Sequence, residues 1–319
     1  MFPKRILLIS MGLVCLSQFP AAAAAQTFIT AWGSGDMPTG VAVGGSGDIY
    51  VSDDSNGGVA VYTRDGTYLR GWGVPYQSDK GVPNIAVDAN DNVYVVSTAD
   101  REVYRFTSTG VLVTQWQVDL GSSACLTVDA SGNVYVTNHD RVSVFTPSGV
   151  LVREWGASGT GPGQFSFPDG LAIDASGNVY VADRDNHRVQ KFTSTGTYLT
   201  QWGSLGSANG QFIHPVRVAI GPQGTVYVVD NGNYRVEVFT AEGAFMTKWG
   251  NAGTSPGQFD NPIGIAVDSS GDIYVADTYN ARIQKFGFAP TPVVSVTWGS
   301  MKARYRAERA VAQGTAQGR

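Results

Sequence analysis

The sequence predicts an all-β chain folded as a six-bladed β-propeller of four-stranded antiparallel blades, and three observations carry that expectation. A turn followed by Val/Ile-Tyr-Val recurs around Tyr50, Tyr94, Tyr135, Tyr180, Tyr227 and Tyr274, at spacings of 44, 41, 45, 47 and 47 residues. A period of this length holding several short strands is the signature of a propeller blade. A second series places Trp72, Trp116, Trp155, Trp202 and Trp249 at the ends of fourth strands, and Tyr62, Phe106, Phe145, Phe192, Phe239 and Phe286 form a third. With 40 glycines, 15% charged and 11% aromatic residues, the chain is too apolar for disorder and too glycine-rich for a helical bundle.

Along the chain, residues 1–25 read as a signal peptide: Lys4 and Arg5, an apolar stretch over 6–16, then small residues at 21–25 with cleavage expected before Gln26. The expectation is export to the periplasm or beyond the cell. Loss of Cys15 leaves Cys125 as the only thiol. Inside the run Ala124-Cys125-Leu126-Thr127-Val128 it reads as a small buried hydrophobe, not a nucleophile. No later segment approaches the ~18 apolar residues of a membrane span.

The propeller is assigned to residues 26–290. Residues 27–33 match the outer-strand pattern of 197–203 but precede the first inner hairpin, so they are expected to complete blade six and leave no free edge. A competing closing strand, 293–299 with Trp298, follows Pro290 and Pro292, which interrupt a ladder. Blade four shows the internal grammar. Residues 170–174 make a first strand, 175–178 a turn, 179–182 a second strand, 188–192 a third, and 197–202 a fourth ending in Trp202.

Residues 291–319 are a linker and basic tail, holding Lys302, Arg304, Arg306, Arg309 and Arg319 against Glu308. The whole chain is −4; without the signal and the tail, the propeller body is −10. An acidic body is a poor surface for phosphate backbones, so no nucleic-acid partner is expected. No glycine-rich loop opens a helix after a strand, which leaves nucleotide binding without support.

The run Gly161-Pro162-Gly163-Gln164-Phe165, then Pro168-Asp169-Gly170-Leu171-Ala172-Ile173-Asp174, Val181-Ala182-Asp183 and Asn186-His187-Arg188-Val189-Gln190-Lys191-Phe192 resembles an NHL repeat. Blade five matches through Gly210-Gln211-Phe212, Pro215, Asp230, Asn233 and Arg235, and blade six through Gly257-Gln258-Phe259, Pro262, Asp277, Asn280 and Arg282. The resemblance covers 27–290 and is strongest in the last three blades. Blades one to three lack Gly-Gln-Phe, and Ser97 and Asn138 replace the Asp of the second strand.

The resemblance implies a site on the face where second strands end, around the central channel. That face collects Asp53, Ser97, Asn138, Asp183, Asp230 and Asp277, with Arg141, Arg188, Arg235 and Arg282 at the starts of third strands. Two readings stand. Asp and Arg about five residues apart in successive blades pair and hold the connecting loop, the favoured reading because repetition suits architecture. Alternatively Asp53, Asn138, Asp183, Asp230 and Asp277, with Arg188, Arg235 and Arg282, bind a polar ligand or a divalent cation at the channel mouth.

Propeller enzymes that this scaffold resembles are poorly matched. The amidating lyases hold zinc on histidines just after the proline of the first strand, where this chain has Thr39, Ala124, Asp169, Val216 and Ile263. His139, His187 and His214 fall elsewhere. The lactonase-like calcium cluster needs a Glu, and Glu102, Glu154, Glu237 and Glu242 fall on third or fourth strands. The sequence therefore reads as a noncatalytic, monomeric binding or scaffolding propeller for a protein, peptide or glycan, with no resident cofactor. A metal-dependent hydrolase or lyase using Asp183, Asp230, Asp277 and the histidines is the alternative.

Overall fold

The computed structural model describes residues 26–33, 37–54, 57–75, 84–121 and 124–288. The signal segment, the Trp298 strand and the basic tail lie outside the described residues. Six four-stranded antiparallel sheets stand in a ring, each built from strands consecutive in sequence except the last. Blade four, with Pro168–Ile173 innermost, then Val179–Asp183, Arg188–Phe192 and Tyr198–Trp202, represents the rest. Inner strands of successive blades lie side by side, and that of blade six, Pro262–Val267, returns to Pro38–Val43 of blade one.

The ring closes as the tryptophan pattern predicts. Gln26–Gly33 pairs antiparallel with Arg282–Phe288, from Gln26 opposite Phe288 to Gly33 opposite Arg282. Blade six is thus made from both ends of the described chain.

Sequence chemistry explains each hairpin. In blade four Asp174 Oδ1 accepts the main-chain N–H groups of Ser176 and Asn178, both at 2.9 Å, so the carboxylate shapes the turn. Gly177 takes φ of 81° there, a region that a side chain disfavours. The repeated tyrosines are buried, and Tyr180 donates its hydroxyl to Asp174 at 3.1 Å. Each tryptophan reaches across to the next blade. Trp155 stands 6.1 Å from Phe192, Trp202 5.8 Å from Phe239, and Trp249 5.5 Å from Phe286. A flat blade buries its second face only against a neighbour, so these contacts weld the ring.

Candidate functional site

At one face of the ring, each well-matched repeat ties its own loops together. Asp183, Asp230 and Asp277 end second strands directly opposite Arg188, Arg235 and Arg282. The arginine Nε donates to the carboxylate at 2.8, 2.8 and 2.7 Å. Asn186, Asn233 and Asn280 donate to the same carboxylates, at 2.9, 2.7 and 2.9 Å. The remaining oxygen accepts the main-chain N–H of Ser166, Ile213 or Asp260, at 2.8, 2.7 and 2.7 Å. The guanidinium then reaches back: Arg188 donates to the carbonyls of Thr160, Gly161 and Gln164 at 2.7, 2.9 and 2.9 Å.

The long loop leading to the inner strand is therefore held by the hairpin beside it. All three carboxylates are fully buried, and none lines the central channel. Gln190 and Gln284 add a further N–H to Asp183 and Asp277, at 3.0 and 2.9 Å. A carboxylate offers roughly four lone-pair sites, and most of those on Asp183 and Asp277 are taken up within the cluster. Burial pushes the carboxyls of Asp183 and Asp230 upward, opposed by these N–H donors and by the arginines. The structure shows Asp–Arg pairing in these three blades.

Blades one to three depart from this arrangement. Asp53 is buried at the end of its second strand, but Gly58 stands opposite it where the arginine would be. Ser97 faces Glu102, and its buried hydroxyl has no partner among the described residues. Asn138 donates to Ser143 at 3.0 Å while its carbonyl oxygen, also buried, has none there. Arg141 lies half exposed, 3.4 Å from Asp140.

Above these layers sits a rim that sequence reasoning missed. Phe167, His214 and Asn261 precede the prolines of three inner strands, all with φ near 50°. His187 and Tyr234 cap short 3-10 turns at the same face, also with left-handed backbone. His187 of blade four and His214, just before Pro215 of blade five, meet with ring centroids 5.0 Å apart. The main-chain N–H of His214 donates to His187 Nδ1 at 3.2 Å. Burial and the neighbouring His214 hold the His187 imidazole below its ordinary pKa. His139 lies elsewhere, 3.7 Å from Asp119. Phe167, Tyr234 and Tyr279 are exposed on this face.

Below the rim, the inner strands enclose a cavity of about 210 Å³, walled mainly by Val, Ile, Leu and Ala. Arg217 is the charged side chain in that lining. It is bonded to Asp169 of blade four. The signal was in the sequence: Arg217 stands where blades one, four and six carry Gly40, Gly170 and Gly264.

Comparison with known proteins agrees with this architecture. The NHL repeat family matches residues 165–192, 212–239 and 259–286, the three clamped blades. The chain is 29% identical over 126 residues to peptidyl-glycine alpha-amidating monooxygenase of Mus musculus, a stretch covering 33% of this chain and only 13% of that protein. Among solved structures, virginiamycin B lyase from Staphylococcus aureus superposes with a TM-score of 0.61 at 14% identity, covering 83% of this chain and all of that one. A gluconolactonase from Xanthomonas campestris does so with a TM-score of 0.60 at 15% identity, covering 80% and 86%. At such identities the likeness shows the fold. The ring of six four-stranded sheets makes the chain a six-bladed β-propeller, and its last three blades carry NHL repeats.

Proposed function

We propose that this protein is an exported, noncatalytic propeller that recognises a protein, peptide or glycan on the face where its second strands end. One observation carries the reading: exposed Phe167, Tyr234 and Tyr279, with the His187–His214 pair, stand on loops pinned by buried Asp-Asn-Arg clusters. Aromatic side chains on pre-ordered loops lose little entropy on binding and offer large contact area. Among the described residues, no three His, Cys, Asp or Glu side chains gather as metal ligands.

The test is binding of the mature protein to peptide and glycan arrays, repeated with Phe167→Ala, Tyr234→Ala and Tyr279→Ala. Loss of a bound partner at unchanged melting temperature is the expected outcome. Partners retained by all three variants would place recognition elsewhere. Turnover of a lactone or ester that disappears on chelation would replace this reading by the metal-dependent hydrolase or lyase.

A further inference from the structure

The channel departs from the symmetry of the ring at the height of Arg217. There the inner strands of the six blades carry Gly40, Asn84, Cys125, Gly170, Arg217 and Gly264. Arg217 is only 5% exposed, as buried as Arg188 and Arg235. Those two use Nε, Nη1 and Nη2 in hydrogen bonds to their clusters. Arg217 does not. Its Nη1 donates to Asp169 and, at 3.1 Å, to the carbonyl of Val216. Its Nε is buried with no hydrogen-bond partner among the described residues, and its Nη2 makes no hydrogen bond among them either.

A buried donor left unpaired is costly, which sets Arg217 apart from every clamped arginine. The two unused groups belong together chemically. Nε–H and the adjacent Nη2–H of a guanidinium form a parallel fork that matches the two oxygens of a carboxylate. Arg217 also borders the cavity, whose walls are the channel edges of inner strands that have no strand partner on that side. Backbone N–H and C=O groups on those edges can hydrogen-bond a polar guest. At about 210 Å³ the cavity falls below the ~300–1,000 Å³ of drug-sized sites, which limits the guest to a small molecule.

We propose that Arg217 anchors a small organic carboxylate in the central channel, gripped by Nε and Nη2 while Asp169 holds the opposite side of the guanidinium. The site goes beyond the rim reading and does not depend on it. Asp169 lowers the affinity, because the guest adds a negative charge beside a pair that is already neutral. That gives the proposal a signed consequence: removing the Asp169 charge tightens binding, whereas removing the Arg217 charge abolishes it.

The experiment titrates acetate, glycolate and lactate into the full mature chain, with acetamide as the neutral isostere, following binding by calorimetry and ¹³C NMR. Wild type should bind at least one of the three acids and not acetamide. Arg217→Gln should weaken binding at least tenfold, and Asp169→Asn should strengthen it. Tyr234→Ala on the rim should leave it unchanged, which separates failure here from failure of the open-face reading. Absence of carboxylate binding in wild type would overturn the proposal even if neither channel variant folds. So would equal binding of acetamide, equal affinity in Arg217→Gln, or an affinity in Asp169→Asn no tighter than in wild type.

Discussion

Blades four to six and blades one to three share a strand order but hold their loops by different means. In the first group an Asp, an Asn and an Arg close a buried network over the loop leading to the inner strand. In the second, Gly58 and Glu102 stand at the arginine position, and the buried Ser97 hydroxyl and Asn138 carbonyl have no partner among the described residues. The inner strand of blade three, Leu126–Val128, is also shorter than Pro168–Ile173 and Pro215–Ile220. Yet the tyrosine hairpins and the tryptophan contacts run round the whole ring. The blade is therefore specified by its hairpins and its interfaces, and the polar network is an added device that stiffens one half of one face.

The closing strand joins the two halves, and breaking it should have the largest effect. Trp32 packs 6.1 Å from Tyr62 of blade one and 6.2 Å from Tyr274 of blade six, while its strand supplies the outer ladder of blade six. Trp32 is half-buried, so its truncation costs less than the ~3–5 kcal/mol of a fully buried Trp, and the lost ladder adds to it. Deleting residues 26–33 should abolish the cooperative thermal transition of the full chain. A melt unchanged by the deletion would mean that another segment, such as 293–299, closes the ring.

Next come the clusters themselves. Asp183→Ala, Asp230→Ala and Asp277→Ala each strand a guanidinium inside the loop, at a cost of about 3–5 kcal/mol. Asn138→Ala removes one neutral hydrogen bond, to Ser143, and should cost about 1 kcal/mol. Chemical denaturation of the four variants measures the gap. Equal losses would erase the distinction between the halves, and additivity of Asp230→Ala with Arg235→Ala would show that the pair does not act as a unit.

The ring and its closure were legible because period, turn residues and terminal tryptophans are local signals. Asp–Arg pairing was legible because its members lie about five residues apart and repeat in register. The rim was not. His187 and His214 are far apart along the chain and meet only because the loop joining the second and third strands of blade four lies against the loop leading into the inner strand of blade five. Arg217 was visible as a departure from glycine, but its guanidinium crosses to Asp169 of the preceding blade, a contact that no single repeat encodes.

Within the clamped half, blade five differs from its neighbours by one residue, and the difference should be readable as pH dependence. Where blades four and six have Gln190 and Gln284, blade five has Glu237, fully buried. The glutamines donate N–H to the carbonyls of Gln164 and Gln258, at 2.7 Å each, and to the clamp aspartates. An ionised Glu237 has no hydrogen to donate there. Its Oε1 lies 2.9 Å from Arg235 Nη2, whose hydrogens go to the carbonyls of Ala208 and Gln211, and its Oε2 accepts the Gly210 N–H at 3.0 Å. Burial pushes its pKa up to about 7, with Asp230 acting in the same direction and Arg235 and Lys248 opposing. A carboxyl raised in this way favours folding while protonated. Its contribution is complete below the ordinary glutamate range and declines as pH rises through about 7. Glu237→Gln supplies the missing N–H at every pH. It should therefore leave stability near pH 5 almost unchanged and raise it near pH 8 by on the order of 1–3 kcal/mol. Denaturation curves of wild type and variant at the two pH values give the answer. A constant difference between them would mean that Glu237 stays ionised against Arg235, and that blade five is held by an ion pair where its neighbours use an amide.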